Sequence, residues 1–456
     1  MIREAASVLA VILFIAHLLI KAFYQKTACR TKLIRKGRFP ANSSIILACS
    51  GRETMRLLLV FSACLAALLV HLVLERRRLA RALDRVPRRI AVTGSRGKSG
   101  TTRLIAAGLR ASGARVLAKT TGSRPALIFP DGSERVIPRP GTASIREQVR
   151  LVSLAARLGA DTLVAEMMSI GPECLFAESR SILRPQILAL TNVRLDHIED
   201  MGRSRGEIAS ALSGAFPRAG VVLLPAEESD PAFEAAAARL GTELVPVPSA
   251  GPAAPAGAAP GGLWWEFEPN IRLARAVLDR LGLAGEPMLE GLAGAAPDFG
   301  SLKIFRAHFG SPPLPAVCVS AFAANDPGSS AEALAKIRPR VDLERLPAVA
   351  FLSLREDRGD RTMQWITAAR AGFFREFERV LVLGAPAGAF VRKLRRSGGP
   401  EAAKFEPVPD AGPEELMGST VARAGREPVI VGFGNIVGPG ESLVRYWDER
   451  GAALDH

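Results

Sequence analysis

The residues of this chain whose chemistry is easiest to name are Thr93-Gly94-Ser95-Arg96-Gly97-Lys98-Ser99. They follow a β-type run, Arg89-Ile90-Ala91-Val92, and lead into a helical pattern from Thr101 to Leu109. In a strand–turn–helix setting, glycines let backbone N–H groups close around phosphates, the helix N-terminus faces the anion, and a lysine neutralises it. Gly94, Ser95, Arg96, Gly97, Lys98, Ser99, Gly100 and Thr101 are thus expected to cradle a nucleotide, with the Ser99 hydroxyl on Mg²⁺. A generic phosphate loop puts four residues between its first glycine and Gly-Lys-Ser/Thr. Here only Ser95 and Arg96 intervene, and Gly100 stands where a hydroxyl residue is usual.

The elements that must hold this loop follow from the apolar pattern. Strands are expected at Arg115–Ala118, Thr162–Ala165, Gln186–Leu190 and Gly220–Leu224, with helices over Ser144–Leu158 and Ser204–Phe216. A second alternation begins near residue 301, with strands at Ala316–Val319, Ala348–Leu352, Val380–Leu383 and Pro428–Val431 and helices over Ser329–Ile337 and Thr362–Phe377. Near-continuous apolar strands separated by helices imply parallel sheets covered on both faces. The predicted class is therefore α/β: an N-terminal membrane helix, a central P-loop-type domain over 77–300, and a Rossmann-like C-terminal domain over 301–456. Residues 248–262 are rich in Pro, Ala and Gly and are expected to form a flexible loop.

In an open α/β sheet the site lies beyond the C-terminal ends of the strands. Glu166 ends one predicted strand, Asp196 and His197 follow Thr191-Asn192-Val193-Arg194-Leu195, and Lys119-Thr120-Thr121-Gly122-Ser123 follows another. Around Lys98 these offer a carboxylate, an imidazole and hydroxyls, a donor set that suits Mg²⁺ with bound phosphates. Arg124, Arg139 and Arg146 lie nearby in sequence, with Glu147-Gln148 in the same stretch, and guanidinium groups pair bidentately with carboxylates.

As a set, the short loop, Glu166 and Asn192-Val193-Arg194-Leu195-Asp196-His197 resemble the Mur ligase superfamily. Within it, they resemble most the ligase subunits of bacterial poly-γ-glutamate synthases, which make capsule polymer. Lys119-Thr120-Thr121-Gly122, Met201-Gly202, Phe322-Ala323-Ala324-Asn325-Asp326-Pro327, Leu354 to Arg361 and Gly432 to Gly438 extend the likeness over roughly residues 85–445. The resemblance implies ATP and Mg²⁺ as cofactors and Lys98, Glu166 and His197 as catalytic residues. It implies Ser99, Thr121, Glu166 and His197 at the metal, Asn270 against adenine, and Asp326 and Arg355 reaching ATP from the C-terminal domain. No His-Arg pair precedes the second domain, so Arg355, Arg358 or Arg361 would assist phosphoryl transfer in its place. The implied reaction polymerises glutamate through an acyl phosphate. The implied partners are glutamate, the growing chain and other membrane subunits of a synthase and export complex. Two other readings stand beside it: a folylpolyglutamate-like amino-acid ligase, and a P-loop ATPase energising an export complex.

Charge excludes one class and places the chain. Residues 1–90 carry 17 Lys/Arg and 4 Asp/Glu, so +13 of the net +15 resides there, against 43 basic and 41 acidic residues in the rest. A nucleic-acid footprint belongs on the folded body; here the excess borders apolar segments, as at a membrane. Leu57–Leu74 is long enough to span, and Glu75-Arg76-Arg77-Arg78 with Arg81, Arg85, Arg88 and Arg89 puts its C-terminal side in the cytoplasm. The expected anchor is 55–76. Ala5–Ile20 is also apolar, but spanning there would leave a basic connector outside. Either that segment does not span, or 1–54 is an extension outside the natural product and synthesis starts at Met55, the option preferred. The five cysteines show no paired spacing and are expected to be reduced and without zinc.

Overall fold

A computed structural model describes residues 43–122, 124–139, 141, 143–195, 198–249, 263–396, 400–408 and 412–454. The apolar segment Ala5–Ile20, residues Asp196 and His197, and most of the 248–262 loop lie outside them. Two units result, one up to Arg81 and one from Ala82 onward, and each stands by itself below.

The described part of the first unit is the helix α1 (Ser43–Asp84), which continues past Arg76 and ends at Asp84, just inside the second. Leu, Ala and Arg are all good helix formers, so nothing in the arginine-rich stretch stops it. Its segment Met55–Asp84 has 30 residues and is long and apolar enough to cross a membrane. Leu58, Leu59, Phe61 and Val70 are exposed on it.

The body is built on two sheets. The first contains β1 (Arg88–Thr93), β2 (Val116–Thr120), β3 (Ala126–Ile128), β4 (Glu134–Val136), β5 (Thr162–Glu166), β6 (Ile187–Leu190), β7 (Val221–Pro225) and β8 (Glu243–Val247). Their order is β4-β3-β2-β5-β1-β6-β7-β8. The run from β2 to β8 is parallel, and only the edge pairs β2–β3 and β3–β4 are antiparallel. In this order β1 is flanked by β5 and β6, so the loop after β1 emerges beside the ends of both. Register fixes the neighbours: Val92 pairs with Glu166 and Thr93 with Leu190.

Helix α2 (Lys98–Ala111) follows the loop and is buried from Gly100 to Leu109. It lies under the helices α3 (Glu268–Arg280) and Glu286–Ala293. A helix enclosed on all sides must be small or apolar all round, and Gly108 supplies the small face: a Cβ there would meet Leu278 at 2.5 Å.

The second sheet contains β9 (Lys303–Phe309), β10 (Leu314–Ser320), β11 (Ala348–Ser353), β12 (Arg379–Leu383), β13 (Phe405–Pro407), β14 (Val429–Gly434) and β15 (Gly451–Leu454). The order is β13-β12-β11-β14-β10-β9-β15, parallel from β13 to β10 and antiparallel at β9 and β15. The expected strands are all present. The antiparallel strands β9 and β15 and the hairpin β3–β4 are additions that the parallel pattern did not predict.

Phe322 anchors the segment that leaves β10. It is fully buried, stacks on Trp447 with ring centroids 5.9 Å apart, and covers the Cα of Gly432 on β14. The ring has nowhere to turn, so Gly432→Ala should cost about 1–3 kcal/mol by overpacking. Urea unfolding checks this, and an unchanged midpoint would contradict the packing described.

Candidate active site

Strand ends of both sheets open on one cleft of about 500 Å³. The loop after β1 forms its floor. Gly94 (φ +123°) and Gly97 (φ +76°) adopt backbone conformations that only glycine holds without strain. A side chain at 94 would run into Thr191, and one at 97 into the Asn270 amide. The loop is pinned from β6: the Ser95 N–H donates to Asn192 O (3.1 Å), the Arg96 N–H to Asn192 Oδ1 (3.0 Å), and the Ser95 hydroxyl to Arg194 O (3.0 Å). Lys98 folds back over the loop, its Nζ donating to Gly94 O at 2.7 Å and Ser95 O at 3.3 Å.

Glu166, 2% exposed at the end of β5, joins three elements. Its Oε2 accepts from the Ser99 hydroxyl at 2.8 Å and from the Thr121 N–H at 2.6 Å. Thr121 thus meets Glu166 through its backbone. Asp298 completes this end of the cleft. It is 6% exposed, accepts from the Gly300 N–H at 3.3 Å, and lies 3.4 Å from Arg103 Nε. Burial, offset by Arg103 and reinforced by the charge of Glu166, pushes its carboxyl above the usual range. Arg103 is held in turn by a bidentate pair with Glu134 of β4. The hairpin missed in the sequence therefore braces the site.

At the other end Asn270, on α3, donates its Nδ2 to Glu266 Oε1 at 2.8 Å. Glu266 occupies the space that a side chain at Gly100 would need. That explains the absence of a hydroxyl residue after Lys98-Ser99. Thr101 is fully buried beneath the loop, away from the cleft wall. Lys336 of α4 (Pro327–Ile337) donates to the Glu266 carbonyl and rests on the Phe267 ring at 5.3 Å.

Asp326 caps α4, accepting from the Ser329 N–H (2.9 Å) and hydroxyl (2.8 Å), and pairs with Arg96 at 3.6 Å and Arg361 at 4.0 Å. Its neighbour Asn325 accepts from the Arg96 guanidinium. Arg96 therefore ties the loop to the segment after β10. Arg355 and Arg358 line the cleft from the second sheet, and Arg355 is gripped by Asp357 at 2.9 and 2.6 Å. Arg139 is committed to Glu147 by a bidentate pair at 3.0 and 2.9 Å, and Glu147 also pairs with the buried Lys119 at 3.2 Å. That leaves Arg139 a structural role. Arg146 begins the helix Arg146–Leu158.

The structure thus brings together Gly94 to Gly100, Thr121, Glu166 and Asn270, with Asp326 behind Arg96 and Arg355 at the rim. Glu266, Asp298 and Arg103 were missed. A carboxylate inside the aromatic run Trp264-Trp265-Glu266-Phe267, and one between Pro297 and Phe299, were the available signals.

Two stretches of the chain match known protein families. Residues 92–242 match the Mur ligase middle domain, and residues 309–450 match the poly-gamma-glutamate synthase CapB C-terminal domain. The chain is an ATP-dependent amide ligase that carries these two domain matches. It is 27% identical over 401 residues to the capsule biosynthesis protein CapB of Bacillus anthracis, covering 87% of this chain and 84% of that one. To the PGA synthase CapB of Bacillus subtilis it is 28% identical over 388 residues, covering 85% and 96%. Its fold is similar to that of a Mycobacterium tuberculosis folylpolyglutamate synthase complexed with ADP and AMPPCP (TM-score 0.59, 16% identity, 83% and 96% covered). It is also similar to a Yersinia pestis folylpolyglutamate synthase/dihydrofolate synthase complexed with AMPPNP and Mn ion (TM-score 0.55, 16% identity, 82% and 92% covered).

Burial pushes the Glu266 carboxyl from 4.5 up to about 7, although Asn270 and the Phe267 N–H bond it. The fold therefore holds this proton more tightly than the unfolded chain does. The stability it contributes is complete below pH 4.5 and is lost as pH rises through about 7. The loss is on the order of 3 kcal/mol. Glu266→Gln keeps an acceptor for both donors and should flatten this fall. Melting temperature against pH for both proteins checks it, and parallel curves would contradict the assignment.

Proposed function

We propose that this ligase joins glutamate residues into poly-γ-glutamate, anchored by α1 with its catalytic body on the cytoplasmic side of the cell membrane. The observation that carries the proposal is the convergence of the Ser99 hydroxyl and the Thr121 N–H on one oxygen of Glu166, beside a short phosphate loop. The CapB-type C-terminal domain and the CapB relatives support glutamate as the substrate and a polymer synthase as the assembly, and the length and apolar composition of α1 support the membrane. The nearly neutral body gives no basic surface excess for a nucleic acid.

The chemistry starts from a difficulty: a carboxylate is a poor electrophile. Transfer of the γ-phosphoryl group of ATP to a carboxylate oxygen makes an acyl phosphate and releases ADP. The amine of glutamate then attacks the acyl carbon, the amide forms, and phosphate leaves with that oxygen. Each step needs negative charge held in place. Lys98 and the N–H groups of the loop would hold the β- and γ-phosphates, and Asn270, oriented by Glu266, would take the adenine edge. Arg355 would approach the nucleotide from the second sheet. Asp326 would act through Arg96, whose position it fixes.

The donor set fits a hard divalent cation. Ser99 Oγ and the Glu166 carboxylate are oxygens 2.8 Å apart, and the buried Asp298, its Oδ1 ion-paired with Arg103, lies at the same end of the cleft. Among the described residues no group of three His, Cys, Asp or Glu forms a closed cage. Mg²⁺ takes few protein ligands and completes its shell with phosphates and water. Ser99 and Glu166 would hold it, with Thr121 fixing Glu166, and His197 remains a proposed ligand. Bound there, Mg²⁺ would neutralise charge on the phosphates.

Membranes containing the protein and its synthase partners, given ATP, Mg²⁺ and glutamate, should yield polymer and ADP. Lys98→Ala should lower phosphate release at least about a hundredfold without changing the melting temperature. Glu166→Gln should raise the Mg²⁺ needed for half-maximal rate about tenfold or more. Phosphate release indifferent to glutamate would refute the substrate assignment, and full activity in Lys98→Ala would refute the loop.

A further inference from the structure

Beyond the cleft, at the Glu166 end, two cations stand against one aromatic ring. The Arg124 guanidinium is 5.9 Å from the centroid of Phe299, and Lys303 Nζ is 5.7 Å from it. Arg124 is exposed, while Lys303, the first residue of β9, is half-buried. Among the described residues neither has a carboxylate within the 4.0 Å of an ion pair. The other arginines of this corner are paired: Arg103 with Glu134 and Asp298, and Arg139 with Glu147. The charges of Asp448 and Asp298 act on Lys303 from farther away, and burial, with the like charges of Arg103 and Arg124, holds its ammonium below the usual range.

Two like charges near one ring repel, a cost that Asp448 and Asp298 offset only from farther away and that a bound anion would offset at contact. A cation–π contact on one ring returns only part of that cost. The position indicates where the anion comes from. A Cβ at Gly122 would lie 2.5 Å from Ser99 Oγ and 3.8 Å from Asp298 Oδ2, so these two loops touch at the metal end of the cleft. Arg124 follows two residues after Gly122, and Phe299 directly after Asp298. The pair therefore borders the place where a substrate carboxylate would be activated.

We infer that Arg124 and Lys303, both set against the Phe299 ring, bind the non-reacting carboxylate of the glutamyl substrate. This rests on the proposed function and specifies how its substrate is held. A glutamyl residue carries two carboxylates. One must lose its charge to react, and the other stays anionic and needs a fixed partner. Arg supplies a planar fork for it and Lys a point charge. The site therefore selects dicarboxylates over monocarboxylates.

The test uses the full chain in detergent, with phosphate release followed against a γ-linked glutamate oligomer, glutamate and ATP. Arg124→Gln and Lys303→Met should each raise KM for the glutamyl substrate about tenfold or more, as expected for loss of a charged hydrogen bond. KM for ATP should stay within about twofold, and Arg124→Lys should recover part of the loss. The wild-type KM for the oligomer should rise with salt more steeply than that of the double variant, because exposed charge pairs are screened. Unchanged KM for the glutamyl substrate in both variants, with turnover intact, overturns the subsite. If a different carboxylic acid stimulates the wild type and glutamate does not, the substrate reading fails and the same shift on that acid decides the subsite. If none does, calorimetric titration of the oligomer decides: binding lost in both variants supports the subsite, and equal or absent binding overturns it.

Discussion

One carboxylate oxygen, Glu166 Oε2, receives both the Ser99 hydroxyl and the Thr121 N–H, and the positions of three elements follow from it. Glu166 can reach both because β5 lies beside β1 and between β1 and β2 in the sheet. Ser99 reaches it because the loop is short: Gly97 turns the chain directly into α2, and the hydroxyl comes within bonding distance of the strand end. A longer loop would need the first turn of α2 to lie elsewhere, and α2 is enclosed on all sides. The burial of that helix and the geometry of the phosphate loop are one constraint.

The second sheet meets this constraint through charge. Arg96 extends from the loop to Asn325 and Asp326, and Lys336 reaches the carbonyl of Glu266. Both contacts leave from α4 or its cap, and Phe322, wedged against Gly432 and Trp447, fixes where that segment starts. Buried carboxylates are costly unless compensated. Asp298 is compensated by Arg103, whereas Glu266 is compensated by hydrogen bonds and retains its proton up to about pH 7.

Much of this was legible in the sequence because it is local. The loop, the strand runs and the strand-end positions of Glu166 and Thr121 follow from patterns a few residues long. What escaped depends on partners far along the chain. Glu266 is meaningful only because Gly100 leaves room for it, and Asp298 only because Arg103 of α2, held by Glu134 of β4, meets it. Strand β9 alternates buried and exposed residues from Phe305 to Phe309, as an antiparallel strand with one solvated face does, and was lost among near-continuous parallel strands. Arg139 had the composition of a substrate ligand, yet Glu147 eight residues later already holds it.

The central claim is that this geometry transfers phosphate to a carboxylate before the amide forms. Oxygen-18 in the substrate carboxylate tests it directly. The account predicts one labelled oxygen in each phosphate released during glutamate-dependent turnover, because the leaving phosphate keeps the carboxylate oxygen. Phosphate carrying no label from the carboxylate, its fourth oxygen coming from water, would contradict it.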